Sequence, residues 1–111
     1  MTRRLVYLAS PYSHPSPEVR HQRFEAACNH AARMMRDGLF VFSPIAHTHP
    51  IALHGGLPLG FDYWREYDER MLSACDELRV LMLAGWKESV GVTAEIAMAA
   101  AMGIPVIYVE V

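Results

Sequence analysis

The sequence is poor in the features that mark secreted, membrane-bound or nucleic-acid-binding proteins. It has only two cysteines, Cys28 and Cys75, which form neither a CxxC pair nor a disulfide framework. The net charge is −2, so the chain lacks the basic footprint typical of nucleic-acid binding. No apolar run approaches the length of a transmembrane helix, and the N-terminal run is too short for a signal peptide. These absences predict a cytoplasmic protein that binds neither nucleic acid nor membranes and has a small molecule as its partner.

The composition is that of a folded domain. Hydrophobic residues make up 52% of the chain and charged residues 20%, which argues against disorder. A chain of this length can bury roughly two-thirds of its unfolded surface, enough for a core. We therefore expect residues 1–111 to form a single domain.

Short apolar segments alternate with helical patterns along the chain. The segments "LVYLA", "LFVFSP", "LRVLML" and "IPVIYVEV" predict strands. Helices are predicted over 16–38, with Ser16 as N-cap and Gly38 as C-cap, over 61–77, and from the loop "AGWKES" to Gly103. This order predicts a three-layer α/β fold, flavodoxin-like or Rossmann-like, with a short parallel sheet of about four strands.

Polar, glycine-rich and proline-rich segments follow three of the predicted strands. They are "ASPYSHPSP", "SPIAHTHP" and "AGWKESVGVTAE". The second opens the run 43–60, whose prolines and glycines predict a long loop with at most one short turn. Because ligands bind beyond the C-terminal ends of parallel strands, we expect the site here. Ser10, Ser43 and His47 are predicted to bind substrate.

The stretch "SVGVTAE" places small residues at the start of the last helix. Backbone N–H groups and the helix dipole make such a start a natural anion site, with Ser89 as a cap or phosphate ligand. Gly91 would let a ligand approach the backbone closely. Many strand-to-helix turns look alike, however, so an ordinary turn remains the alternative.

Two carboxylates invite a chemical interpretation. Glu95 lies among apolar residues, where it is either a first-turn charge or a chemical group, and the helix start is expected to favour its ionised form. Asp68 is one of many charges on its helix, so spacing alone favours a solvated position. The histidines of "HTHPIALH" match no strong metal signature, and no carboxylate lies in that run. We therefore predict no metal and no organic cofactor.

Three stretches carry a resemblance to a known family: "VYLASPY", "YDERMLSACDELRVLML" and "SVGVTAEIAMAAAMGIPVI". Together they resemble the nucleoside 2-deoxyribosyltransferase-like superfamily, and most closely its small DUF1937-like branch from phages and bacteria. Ser89 is similar to the serine of members that cleave deoxynucleoside 5′-monophosphates. The resemblance implies homo-oligomers, because family members usually complete the pocket with a residue from a neighbouring subunit.

The resemblance also implies roles for individual residues. Glu95 matches the catalytic glutamate that attacks the anomeric carbon, and Asp68 the aspartate that assists departure of the base. Tyr7 matches the tyrosine that lies against the catalytic carboxylate, while Ser89 and Gly91 match positions that hold the 5′ end of the sugar. The implied activity is N-glycosidic bond cleavage in a deoxynucleoside or its 5′-monophosphate, by hydrolysis or transfer. The alternative is a non-catalytic nucleotide-binding or interaction module of the same fold.

Overall fold

Residues 3–111 are described by a computed structural model, and they form eight regular elements. In chain order these are β1 (Leu5–Ala9), α1 (Pro17–Arg36), β2 (Phe40–Phe42), α2 (Pro44–Gly55), α3 (Phe61–Leu72), β3 (Glu77–Leu81), α4 (Val90–Met102) and β4 (Val106–Val109). Within these residues, no helix has both the length and the apolar character needed to cross a membrane.

The four strands form one sheet in the order β2-β1-β3-β4, and every neighbouring pair is parallel. Tyr7 of β1 pairs with Phe42 on one side and with Leu78 on the other. This confirms the predicted three-layer α/β fold with a short parallel sheet. The chain moves outward from β1 to β2, then returns to the opposite side of β1 with β3. A crevice therefore opens beyond the C-terminal ends of β1 and β3.

Alternating residues of the strands build a core on each face of the sheet. Under α1 the core contains Val6, Leu8, Ala31, Met34 and Leu81. Under α3 and α4 it contains Tyr7, Ala9, Leu72, Cys75, Leu78, Val80, Val92, Met98 and Ala99. Because the side chain of Tyr7 belongs to the second core, it points toward the helix that carries Glu95.

The predicted ends of α1 are correct to within one residue. Ser16 is the N-cap, and its Oγ accepts a hydrogen bond from the backbone N–H of Val19 at 3.3 Å. The C-cap is Asp37 rather than Gly38. Gly38 follows the cap with a φ of +95°, a conformation that glycine adopts without steric cost.

The prediction of a loop over residues 43–60 is wrong, because helix α2 occupies most of it. Its prolines and glycines mark helix boundaries instead: Pro44 follows the N-cap Ser43, and Gly56 ends the helix at a φ of +67°. Pro50 lies inside the helix and supplies no N–H group. Burial of Thr48 and other side chains of α2 compensates for that loss, so packing overrides local propensity.

Candidate active site

A cleft opens at the crevice where the order of the strands reverses. It has two compartments that share Ser13, Phe61 and Ser89 as lining residues. The outer compartment has a volume of about 300 Å³ and is completed by Asp62, Glu88 and Val90. The inner compartment has a volume of about 40 Å³ and is completed by Tyr12, Ile45, Thr48, Leu59, Trp64 and Asp68. The outer compartment is at the small end of the range for ligand pockets.

Glu95 and Tyr7 form a buried pair that lines neither compartment of this cleft. Glu95 is 4% exposed on α4, and Tyr7 of β1 is fully buried. The Tyr7 hydroxyl donates a hydrogen bond to Oε2 of Glu95, joining residues 88 positions apart in the chain. The acid within the apolar helix is therefore not a solvated first-turn charge.

The expectation that the helix start keeps Glu95 ionised is wrong. Burial raises the pKa of Glu95 to about 8; the hydrogen bond from Tyr7 lowers this pKa and the nearby charge of Asp68 raises it. Glu95 comes five positions after Val90, the first residue of α4, and the dipole effect fades beyond the first turn. Loss of water around the carboxylate therefore outweighs the helix dipole.

Asp68 is buried on α3, contrary to the solvated position that its spacing favours. It is 5% exposed, and its Oδ1 atom has no hydrogen-bond partner. Burial raises the pKa of Asp68 to about 7, which leaves it poised to hold or release a proton near neutral pH. Because Asp68 lines the inner compartment, this exchangeable proton lies at the cleft.

Ser89 and Gly91 are at the cleft end of α4. Ser89 is the N-cap: its Oγ accepts a hydrogen bond from the backbone N–H of Val92 at 3.2 Å, and the residue lines both compartments. A Cβ atom on Gly91 would lie 3.2 Å from Cδ1 of Phe61. The small size of Gly91 therefore admits the Phe61 ring, which forms part of the cleft wall.

Gly91 itself lines neither compartment, since Phe61 lies against its backbone, and the other three predicted substrate-binding residues do not line the cleft either. Ser10 is buried just after β1, with an Oγ atom that has no partner. Ser43 caps α2 by accepting a hydrogen bond from the N–H of Ala46 at 3.2 Å. His47 is exposed on α2, where its Nε2 lies 2.9 Å from the hydroxyl of Tyr67 and the two rings stack.

The sequence interpretation missed several residues that shape the inner compartment. Tyr12 lines it, and the Tyr12 hydroxyl hydrogen-bonds to Nδ1 of His49. His49 is buried and stacks on Phe24 with the ring centroids 4.5 Å apart; burial lowers its pKa, which favours the neutral ring. The buried Nε2 atom of His49 has no partner. Thr48 also lines the compartment, and reading α2 as a loop concealed the helical spacing that directs Thr48 and His49 inward.

Arg23 of α1 ties together the two loops that border the cleft. Its Nη1 donates to the carbonyl of Ser13 at 2.9 Å, and its Nη2 donates to the carbonyl of Ala84 at 3.2 Å. Gly85 has a φ of +91°, and a Cβ atom there would lie only 2.7 Å from Nη2 of Arg23. The guanidinium group and the bare glycine backbone therefore fit one another.

Among residues 3–111, histidine, cysteine and acidic side chains form no group of three or more placed to hold a metal ion. Cys28 and Cys75 are free thiols, and burial raises the pKa of each. The groups with accessible acid–base chemistry at the cleft are therefore carboxyl and hydroxyl groups.

The fold and the cleft define an α/β protein with a buried acid pair at the point where the strand order reverses. Residues 4–111 match the family described as "Domain of unknown function (DUF1937)", and the chain belongs to that family. This confirms the DUF1937-like part of the resemblance seen in the sequence. A search of curated proteins found no match to the chain.

Proposed function

We propose that the protein cleaves the N-glycosidic bond of a deoxynucleoside or deoxynucleoside 5′-monophosphate, with Glu95 as the nucleophile. The observation that carries the proposal is the buried Tyr7–Glu95 hydrogen bond beside the buried acid Asp68. Asp68 lines the cleft and its charge acts on the buried Glu95, and the pKa values of both carboxyl groups are raised, an arrangement that costs stability and is typical of acid–base chemistry. The resemblance to the deoxyribosyltransferase-like superfamily supports the same roles.

In the first step the ionised Glu95 carboxylate attacks C1′ of the sugar. The C1′–N bond breaks as positive charge develops on the sugar, and the bonding electron pair leaves with the base. Asp68 in its protonated form gives the base a proton, which is why a pKa raised to about 7 suits its role. The products of this step are the free base, a glycosyl ester on Glu95 and an ionised Asp68.

In the second step the ester is resolved at the same carbon. Asp68 takes a proton from water, and the resulting nucleophile attacks C1′ and releases Glu95, which gives hydrolysis. Attack by the nitrogen of another base gives transfer instead. Tyr7 acts by positioning: its hydroxyl donates to Oε2 of Glu95 and holds the carboxylate in one orientation throughout.

The direct test is release of free base from a panel of deoxynucleosides and their 5′-monophosphates, followed by chromatography. We expect Glu95→Gln to abolish release while ligand binding is kept, and Asp68→Asn to lower the rate by about 10²–10⁴-fold. Glu66→Gln is the matched control, because Glu66 is an exposed acid on the same helix as Asp68 and lies outside the cleft. Full activity of Glu95→Gln would refute the proposal.

A second candidate is a nucleotide-binding module without turnover. It is favoured by one observation: Asp68 and Ser89 line the cleft, whereas Glu95 does not. The two functions differ in a single measurement on the wild type. Tight binding of a deoxynucleotide with no base released over hours would support the module and exclude the enzyme.

A further inference from the structure

We infer that the cleft selects the uncharged 5′-hydroxyl form of its ligand and rejects the 5′-phosphate. This inference rests on the proposed function, because it concerns the ligand of the same cleft. It leaves the reaction chemistry as described and decides between the two substrate classes that the proposed function admits.

The charges on the wall of the outer compartment are of one sign, because Asp62 and Glu88 both line it. Asp68 lines the inner compartment and is neutral in the form that the proposed chemistry requires. Among the residues that the structure describes, no lysine or arginine side chain lines either compartment. A phosphate monoester carries between one and two negative charges near neutral pH, so in the outer compartment it would face two carboxylates without a cation to offset them.

Cations near the cleft are held in other contacts. Arg23 donates hydrogen bonds to the carbonyls of Ser13 and Ala84, and Arg20 donates to the carbonyl of His14. Arg65 lies over the Phe61 ring at 5.8 Å, and Lys87 over the Trp86 ring at 5.7 Å. None of these side chains is among the residues that line the two compartments.

The positive end of the α4 dipole does not offset the negative charge of the cleft wall. The helix dipole supplies about half a positive charge at the N-terminus, which by itself would attract an anion. Glu88 and Asp62 share the outer compartment with Ser89, the N-cap of that helix, and together they bring two full negative charges. The hydroxyl of Ser89 suits a 5′-hydroxyl, since each group can both donate and accept a hydrogen bond.

The test compares deoxyadenosine, deoxyguanosine, deoxycytidine and thymidine with their own 5′-monophosphates, by calorimetric binding and by base release. We expect the wild type to prefer each bound nucleoside over its monophosphate by roughly tenfold or more at low salt, and by less at high salt. In the variant Asp62→Asn/Glu88→Gln, monophosphate affinity should rise roughly tenfold while nucleoside affinity stays within about twofold.

The matched control is Glu66→Gln/Glu69→Gln, which removes two exposed charges from α3 outside the cleft. It should leave the ratio of the two affinities unchanged. Preference for monophosphates in the wild type, an unchanged ratio in the Asp62/Glu88 variant, or no binding of any of the eight compounds would overturn the inference. Base release separately decides the proposed function, so failure of the chemistry and failure of the selectivity are distinguishable.

Discussion

Glu95 is surrounded by alanine and methionine residues of α4, and the hydroxyl of Tyr7 donates a hydrogen bond to its carboxyl group. A methionine or leucine at this position would add apolar burial without the cost of removing a carboxylate from water. Residues that reduce stability in this way are typical of functional sites, where the cost is compensated elsewhere in the fold. This cost can be measured without any knowledge of the ligand.

Stability should decrease with rising pH, because burial raises the pKa of Glu95 from 4.5 to about 8. Because the folded protein binds this proton more tightly than the unfolded chain does, protonated Glu95 adds to the free energy of unfolding. The addition is complete below pH 4.5 and is lost as pH rises to about 8. Glu95 alone adds a slope of up to about 1.4 kcal/mol per pH unit. Urea unfolding of wild type and Glu95→Gln from pH 5 to 8 would show it, with the variant the more stable at pH 8. Parallel curves would contradict the prediction.

The pKa of another buried acid, Glu77, is shifted in the opposite direction, and Glu77 does not affect that measurement. Burial would raise its pKa, but hydrogen bonds from Arg79 and Arg4 outweigh burial and lower it. Its contribution is therefore lost as pH falls below the ordinary range of a glutamate, outside the interval from pH 5 to 8.

The pH dependence of base release follows from the same two acids. The active form has Asp68 protonated and Glu95 ionised, and because the pKa of Glu95 (about 8) lies above that of Asp68 (about 7), this form is a minority species that is most abundant between the two values. Activity should therefore fall below about pH 7 and above about pH 8. The profile of kcat/KM should be a bell centred between those values. Tyr7→Phe removes the hydrogen bond that lowers the pKa of Glu95, so the active form should become rarer and the basic limb of the profile should move to higher pH. A basic limb that stays fixed would argue against the positioning role of Tyr7.

At the residue scale, the chemistry of the site could be predicted only in part. Spacing alone placed Asp68 on a solvated face, and the resemblance to a family singled out Asp68, Tyr7 and Glu95. The contact between Tyr7 and Glu95 joins two elements distant in the chain, and no local pattern reports such a contact. The burial of His49 could not be predicted either, because it depends on helix α2, whose prolines and glycines led us to predict a loop.

At the scale of single elements, α2 shows why local rules failed. Glycine and proline usually interrupt structure, yet here Pro44 begins the helix and Gly56 ends it. Only Pro50 departs from the usual positions of proline, because it lies inside the helix and removes a backbone N–H group. Burial of inward-facing side chains of α2 compensates for that lost hydrogen bond. Helices α1 and α4 begin near the predicted residues, because their serine caps and apolar periods agree with the tertiary packing. Helix α3 begins at the predicted residue but ends at Leu72 rather than at residue 77, where β3 starts.

The loop after β3 provides a prediction at the same scale. Gly85→Ala should lower the free energy of unfolding by about 2 kcal/mol or more, from a positive φ and from collision with Arg23. Gly38→Ala is the matched control, because its φ is +95° and a Cβ atom there meets no atom within 4 Å. It should lose about 1 kcal/mol from backbone strain alone. Equal losses in thermal unfolding of the two variants would show that the contact with Arg23 adds nothing.

At the scale of the whole molecule, the alternation of strands and helices predicted a parallel sheet with helices on both faces. It did not predict the order β2-β1-β3-β4, because that order depends on which edge of β1 receives β3. The location of the cleft follows from this order. The three polar segments predicted to surround the site do contribute to the cleft, through Ser13, Thr48 and Ser89. The sequence interpretation lacked the start of α3, which adds Phe61 and Asp62 to the wall.

The exposed side of α4 provides a prediction for the assembly. Val90, Ala97, Ala100 and Ala101 are exposed and recur at helical spacing, so an apolar stripe faces solvent. We expect a homo-oligomer that covers this stripe, and Ala100→Glu should shift it toward monomer in size-exclusion chromatography with light scattering. Ala74→Glu, at an exposed turn, is the control. A wild type that is monomeric at micromolar concentration would rule the prediction out.

The guanidinium group of Arg23 has a mechanical consequence. Its Nη1 atom is hydrogen-bonded to the loop that contains Ser13, and its Nη2 atom to the loop that runs from Ala84 to Ser89. Separation of the two loops must stretch one of these two hydrogen bonds. A ligand larger than the inner compartment would therefore have to move the loops apart against the hydrogen bonds of a single side chain.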